Sequence, residues 1–281
     1  MQPLSNKKRR WHFYIFVLLF LVMLPMIVLY VQGYRVGSNL SLVKVGGVYI
    51  GGVDSGVEVF FNDVLQNDIK KLKNGFFIDD LYPAKYFISI KKEGYTSWSK
   101  DVVVRGAKVS EIYPLIIPTE LYAHEIPAQV EESRGFFGSN ASTTLVTNDI
   151  FVDTLKLFSE ETGLDSITRR AITLWYEGNS VYFVWKGKDL SATPVFCGVH
   201  DCTATSTVYT ALEKINRADF LPGRNDVLLV ALPSGLYAVE MDNKLPQHSV
   251  QIYSGKNADF RIEDGEILYV KEGQKLFQID I

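Results

Sequence analysis

Two cysteines hold the one spacing in this chain that points to a covalent or metal-binding event. Cys197 and Cys202 sit in CGVHDC with four residues between them. A disulfide at that spacing staples a loop or hairpin end and stabilises by about 2 kcal/mol in the chain-entropy picture. His200 and Asp201 lie between the thiols and are ligand types, but consecutive donors so close together rarely wrap a tetrahedral ion. A redox pair is more often C-x-x-C. The spacing predicts a structural disulfide, with free thiols, a metal site and a redox pair as the alternatives.

The remaining chemical inventory is thin. The histidines are His12, His124, His200 and His248, and no H-E-x-x-H occurs. No G-x-S-x-G elbow supports an acyl enzyme. No G-x-x-x-x-G-K-[ST] loop cradles phosphate, and GGVYIGG does not match the dinucleotide fingerprint. Paired acids stand at Asp79-Asp80, Glu131-Glu132 and Glu160-Glu161. Neighbouring acids do not flank a substrate as glycosidase carboxylates must, so they read as solvated faces. No catalytic, cofactor-binding or metal-binding residue is assigned, and the protein is expected not to be an enzyme.

The elements that carry these residues begin with an anchor. Phe13–Val31 is uncharged for 19 residues and spans about 28 Å at 1.5 Å per residue, close to a bilayer core. Such a segment must be helical, because lipid satisfies no backbone polar group. Trp11, Tyr14 and Tyr30 lie near its two ends, where amphipathic rings favour the interface. Lys7, Lys8, Arg9 and Arg10 precede it, whereas only Arg35 and Lys44 follow closely. The positive-inside rule then places the N-terminus in the cytoplasm and the C-terminus outside the plasma membrane. A cleaved signal peptide is the competing reading, but its apolar core is shorter and ends in small residues, unlike YVQGYR. The expected organisation is a basic tail (1–10), an uncleaved signal-anchor helix (11–31) that partners the lipid bilayer, and a linker (32–41).

Charge excludes one class of partner. The first 31 residues hold four bases and no acid, so the remaining chain is net −7 against −3 for the whole. An acidic body lacks the basic surface that nucleic acids require.

The body reads as mainly β and in two parts. Leu42–Ile50, Val57–Phe61, Tyr86–Ile90 and Val102–Val104 are short segments rich in β-branched and aromatic residues, punctuated by Gly, Asn and Asp. Pro114 and Pro118 close this first part. Its SGVEVFFNDVLQN and LYPAKYFISIKKEGYTSWSKDVVV resemble a PEGA domain on Leu81, Pro83, Tyr86, Ile88, Ile90, Gly94, Tyr95 and Trp98, with Ala84 where the family usually has Gly. The resemblance covers residues 42–118. It implies a small β-sandwich found in cell-envelope proteins and no catalytic residues. Tyr95 and Trp98 read first as rings that fill a thin sandwich, and second as an aromatic platform for a sugar.

Residues 119–281 carry a faint repeat. Ala218-Asp219-Phe220 recurs 40 residues later as Ala258-Asp259-Phe260, each followed by a Gly-bearing turn and the strands VLLVA and EILYV. EGNSVYFVW reads as an earlier copy, with Val181, Val227 and Ile267 as its markers. A period of 40–46 residues is that of propeller blades, the length allows about four at most, and an open, propeller-like stack of antiparallel β-meanders is expected. The alternative is a generic antiparallel meander. Asp219 and Asp259 are expected to hold turn amides, and Phe220 and Phe260 to anchor equivalent core pockets. Within residues 120–170, SRGFFGSN and ETGLDSITRR look more like loops, and Asp149–Glu161 fits either a strand or a short helix presenting Phe151, Leu155 and Phe158. The expectation is a non-catalytic, single-pass envelope protein whose extracytoplasmic part spaces or binds another envelope protein. Binding of a surface or cell-wall glycan by exposed aromatics is the alternative.

Overall fold

The computed structural model describes residues 6–37, 40–67, 69–134, 142–159, 166–188, 194–197, 204–242 and 246–281. Two compact units emerge: residues 1–90 with 99–114, and residues 91–98 with 115–281.

The first unit opens with helix α1, Asn6–Val31. Its stretch Arg10–Val31 is long and apolar enough to cross a membrane, and none of it is buried within the protein. Pro25 lies inside the helix, where membrane helices tolerate the lost hydrogen bond. The helix ends where Gly33 (φ +82°) turns the chain and its N–H donates to the Tyr30 carbonyl at 3.0 Å.

Short strands follow: β1 (Tyr34–Val36), β2 (Leu42–Lys44), β3 (Gly46–Gly51), β4 (Glu58–Phe61), β5 (Val64–Leu65), β6 (Lys70–Leu72), β7 (Gly75–Leu81), β8 (Ala84–Lys91), β9 (Trp98–Val104) and β10 (Val109–Ile112). The stretch 32–41, whose composition suggested a linker, contains β1, which pairs with β2 from Tyr34↔Lys44 to Val36↔Leu42. Two four-stranded sheets follow, ordered β10-β3-β7-β6 and β5-β4-β8-β9. In the first of them β10 joins in parallel, alongside β3. Val48, Ile50 and Ile78 are buried on the first sheet, and Val59, Phe61, Ile88, Ile90, Val102 and Val104 on the second. The segment Leu42–Ile50, which reads as one run, splits at Val45, where the chain leaves the hairpin for the sheet.

The second unit takes the turn between β8 and β9 and stitches it to residues 115–119. Thr96 N–H donates to the Ile117 carbonyl at 2.8 Å, and Thr119 N–H to the Gly94 carbonyl at 2.9 Å. Leu115 and Ile117 are buried beside it.

Next come β11 (Ala123–Ile126), β12 (Gln129–Arg134), β13 (Ser142–Thr147) and helix α2 (Asp149–Ser159). The segments SRGFFGSN and ETGLDSITRR, which read as loops, fall mostly on residues 135–141 and 160–165, outside the described set, while β14 takes up Ile167–Arg169 of the second. The helix alternative holds at Asp149, because Asn148 caps it: Ile150 N–H donates to Asn148 Oδ1 at 3.1 Å. Its inward face is Phe151, Thr154, Leu157 and Phe158, while Leu155 is exposed. The i, i+3, i+7 row wins over the expected Leu155 because only that row faces the strands behind it.

The strands β14 (Ile167–Arg169), β15 (Ile172–Glu177), β16 (Ser180–Trp185) and β17 (Ser206–Thr210) form one antiparallel meander. A second consists of β18 (Arg217–Phe220), β19 (Val227–Leu232), β20 (Gly235–Glu240) and β21 (Ser249–Tyr253). The last strands, β22 (Asp259–Glu263), β23 (Ile267–Glu272) and β24 (Lys275–Ile279), take β11 as their fourth member, paired from Ala123↔Ile279 to Ile126↔Leu276. A strand from the start of the unit thus completes the sheet at its end and covers the β24 edge.

The first two meanders share one apolar core that includes Leu174, Phe183, Trp185, Phe220, Leu228 and Val239. All six residues of β19 are buried. The VLLVA run is therefore covered on both faces, and a continuous apolar strand, not an alternating one, is what such a position requires.

Candidate functional site

The first strands of the three meanders each carry a charged residue toward the next. Arg169, the last residue of β14, places its guanidinium 3.4 Å from Asp219 of β18. Arg217 of β18 donates through Nε to Asp259 of β22 at 2.8 Å. Arg261 of β22 holds the other oxygen of Asp259 at 2.8 Å and reaches on to the Leu157 carbonyl of α2 at 3.0 Å. Its guanidinium lies over the Phe158 ring, 5.0 Å from the centroid. A chain of guanidinium contacts therefore runs from β14 through β18 and β22 to α2.

Each carboxylate has a second task. The Phe220 N–H donates to Asp219 Oδ1 at 2.6 Å, and the Phe260 N–H donates to Asp259 Oδ1 at 2.8 Å. Both triplets therefore bend in the same way, with the acid gripping the amide of the Phe that follows. Phe220 and Phe260 are both fully buried. The cross-strand partners differ: Phe220 faces Leu228, but Phe260 faces Val270. The second copy is slipped by two residues against its neighbour. An even slip leaves every side chain on its own face, so the Phe stays in the core.

The earlier copy needs correction. EGNSVYFVW lies on β16, the third strand of its sheet, whereas VLLVA and EILYV lie on second strands. The first meander's second strand is β15, beginning at Ile172. Both arms of a hairpin carry the same alternation, so spacing alone cannot tell the second strand from the third.

Burial raises the pKa of Asp219, opposed by Arg169, the Phe220 amide and Arg217. Burial likewise lowers the pKa of Arg261, with Arg217 adding repulsion. The guanidinium nevertheless remains charged. Because the folded-state pKa of Asp219 lies above its unfolded value, its ionised form costs stability at neutral pH. That cost vanishes as pH falls through the folded value to the ordinary carboxylate range. Asp219→Asn should therefore flatten the pH dependence: relative to the variant, the wild type gains stability between pH 7 and pH 4. Urea titrations at stepped pH test this, and a relative loss for the wild type on acidification would contradict it. Carboxylates held by guanidinium groups and backbone amides orient strands.

The other sequence-derived residues lie elsewhere. Trp98 is 2% exposed, and its indole N–H donates to the buried carboxylate of Glu240. Its ring stacks on His248, with centroids 5.6 Å apart. No face is open to a sugar, so the ring serves packing. Tyr95 is half-buried, with Lys92 Nζ 3.9 Å from its ring centroid. Cys197 is buried at the end of a short 3-10 turn, Val195–Cys197, while Cys202 and His200 lie outside the described residues. Asp79 pairs with Lys70, and Asp80 pairs with Arg35 at 2.7 Å, so adjacent acids diverge. His124 Nε2 lies 3.6 Å from Asp280. Glu160 and Glu161 lie outside the described residues. Among the described residues no cluster of three His, Cys, Asp or Glu side chains is placed to hold a metal.

Arg169, Arg217 and Arg261 were not singled out by motif. A period-2 signal was present for two of them: Arg217 stands two residues before Asp219, and Arg261 two after Asp259, so each shares a strand face with its acid.

No family model matches the chain. No curated protein matches it. Among solved structures, a chain described as "AfRom2 CNH domain" is similar at 12% identity and a TM-score of 0.27, covering 77% of this chain and 69% of that one.

Proposed function

We propose that this chain is a non-catalytic, single-pass protein of the cell envelope that displays a β-rich ectodomain for interaction with another envelope protein. The observation that carries the reading is the junction at the end of α1. Arg35 donates to the Tyr30 carbonyl at 2.9 Å and to Asp80 at 2.7 Å, and its guanidinium sits 3.9 Å from the Tyr30 ring centroid. An apolar helix with no protein cover is thus fastened directly to a folded β unit, as a membrane anchor carrying a rigid head should be. The first unit is read as a PEGA-like sandwich on the residues that carry that resemblance. The second is read as propeller-like: three four-stranded meanders, with the β12–β13 hairpin and α2 in the place of a fourth. The laced first strands and the β11–β24 pairing support this reading. Internally paired charges favour display over catalysis. The burial of Trp98 removes one of the two rings named for the glycan alternative.

The four bases before the span favour an N-terminus in the cytoplasm and a head outside the plasma membrane, which is the orientation of this reading. Protease added to intact cells should digest residues 40–281 and leave a protected N-terminal fragment. Protection of the whole head would overturn the orientation. A mature N-terminus just after Gly33 would show cleavage in place of anchoring.

The same orientation puts Cys197 and Cys202 in an oxidising compartment, and the reading includes a disulfide between them. Non-reducing peptide mapping should recover the two peptides linked. Replacing both with Ser should cost about 2 kcal/mol. Alkylation of both thiols without prior reduction would contradict the pairing.

A further inference from the structure

The β1–β2 hairpin is inside out for a water-facing element. A half-buried antiparallel pair turns apolar residues inward and polar ones out. Here the inward member is Arg35, engaged with Tyr30 and Asp80, opposite half-buried Val43. Period-2 alternation puts Tyr34, Val36, Leu42 and Lys44 on the other face. Val36 and Leu42 are direct cross-strand partners, 58% and 55% exposed, and Leu40 at the turn is 87% exposed. Three aliphatic side chains thus stand in water within seven residues, on a two-stranded element that is only marginally stable alone.

Position identifies what covers them. Two residues separate the end of α1 from β1, and Arg35 pins β1 against the last turn of the helix. Tyr30 and Tyr82 are exposed beside the hairpin, and the Tyr82 hydroxyl donates to the Val36 carbonyl at 3.0 Å. Lys44 Nζ lies 5.5 Å from the Tyr34 ring centroid. Tyrosines, a lysine on a long stem and exposed aliphatics at the end of an apolar helix form the composition that favours a membrane–water interface. The headgroup zone is roughly 5–7 Å deep on each side of the hydrocarbon, a depth a three-residue strand leaving the last helical turn can enter.

We propose that this hairpin is a second membrane contact: its Val36, Leu40 and Leu42 surface inserts into the headgroup–acyl boundary of the leaflet into which α1 emerges. The hairpin thereby holds the first unit against the bilayer, so that the unit does not swing on a flexible tether. The inference rests on α1 being a membrane anchor, and its test separates the two.

The full chain is reconstituted in vesicles of phosphatidylcholine and phosphatidylglycerol. An environment-sensitive fluorescent amino acid is placed singly at Ile27, Leu40, Leu42 or Leu212, which leaves both cysteines untouched. Quenching by nitroxide-bearing phosphatidylcholine is then read at each site. Ile27 lies in the span, and Leu212 is a fully exposed site in the second unit. Quenching at 27, 40 and 42 with blue-shifted emission, and none at 212, is the expected result. Quenching at 27 alone would overturn the hairpin contact and leave the anchor standing. No quenching at 27 would overturn the anchor, and the inference with it. Self-quenching at 40 and 42 without lipid quenching would mean that a second copy covers the face, and would also overturn the proposal.

Discussion

Phe220→Ala should lower the stability of the second unit by about 3–5 kcal/mol, as should Phe260→Ala. Both rings are fully buried on strands that start a meander, Phe220 as the last residue of β18 and Phe260 as the second of β22. Each is fixed by its neighbour, because the Asp before it holds its amide at 2.6 Å or 2.8 Å. With its amide held by the Asp side chain, the main chain at each site cannot move in to fill the space the ring leaves, so the cavity persists and the cost stays near the upper end for its type. Phe220 belongs to the core shared by the first two meanders, so its loss should weaken both. Unfolding in urea, followed by the fluorescence of Trp175 and Trp185, reports on this unit. Leu212→Ala, at a fully exposed site, should change stability by no more than about 0.5 kcal/mol. A Phe220→Ala cost below about 1 kcal/mol would show that the pocket collapses and that the ring does not anchor the meander.

Gly235→Ala should be comparably damaging, for a different reason. Gly235 opens β20 with φ +143°, a conformation that side chains other than glycine rarely adopt. A Cβ there would stand 2.3 Å from the Tyr253 carbonyl oxygen on β21. That oxygen is backbone in a paired strand, so relief requires opening β20 from β21 near Leu236↔Tyr253, where the register already shifts. Strained backbone costs about 1–3 kcal/mol alone, and the lost pairing adds to it. The expected total is about 3 kcal/mol or more. Gly178→Ala provides the comparison. Its φ is also positive, at +61°, but nothing lies within 4 Å of the added methyl, so only the backbone strain remains. Amide exchange should accelerate along β20 and β21 in Gly235→Ala and stay near wild type there in Gly178→Ala. Equal effects of the two would show that φ, and not the close approach of β21, sets the cost.

Some of this architecture was legible in the residues and some was not, and the division follows the range of the forces. The helix α1 is a local property: 19 uncharged residues suffice, whatever the rest of the chain does. The existence of strands such as β4, β8 and β16 follows from alternation and flanking turn residues. The helix α2 was ambiguous from its own residues and was decided by the cap at Asn148 and by the strands that cover Phe151 and Thr154. Pairings were beyond reach: β11 meets β24 across roughly 150 residues, and β10 lies parallel to β3 across roughly 60. Any strand with the right alternation can occupy an edge, so its partner is chosen by the fold as a whole.

The same holds for the charged links. That Arg217 shares a strand face with Asp219 was visible in the period of two. That it bonds to Asp259 instead, and leaves Asp219 to Arg169, required three first strands to be brought together. By itself the sequence determined an apolar helix long enough to cross a membrane, a β-rich body and a repeated Ala-Asp-Phe triplet, because hydrophobicity and alternation act over a few residues. Only the tertiary structure decided which strands pair, that β19 is buried on both faces, and which arginine each aspartate holds. Those choices are made by packing between segments far apart in the chain, and burial on both sides depends on neighbours that a strand's own residues do not name.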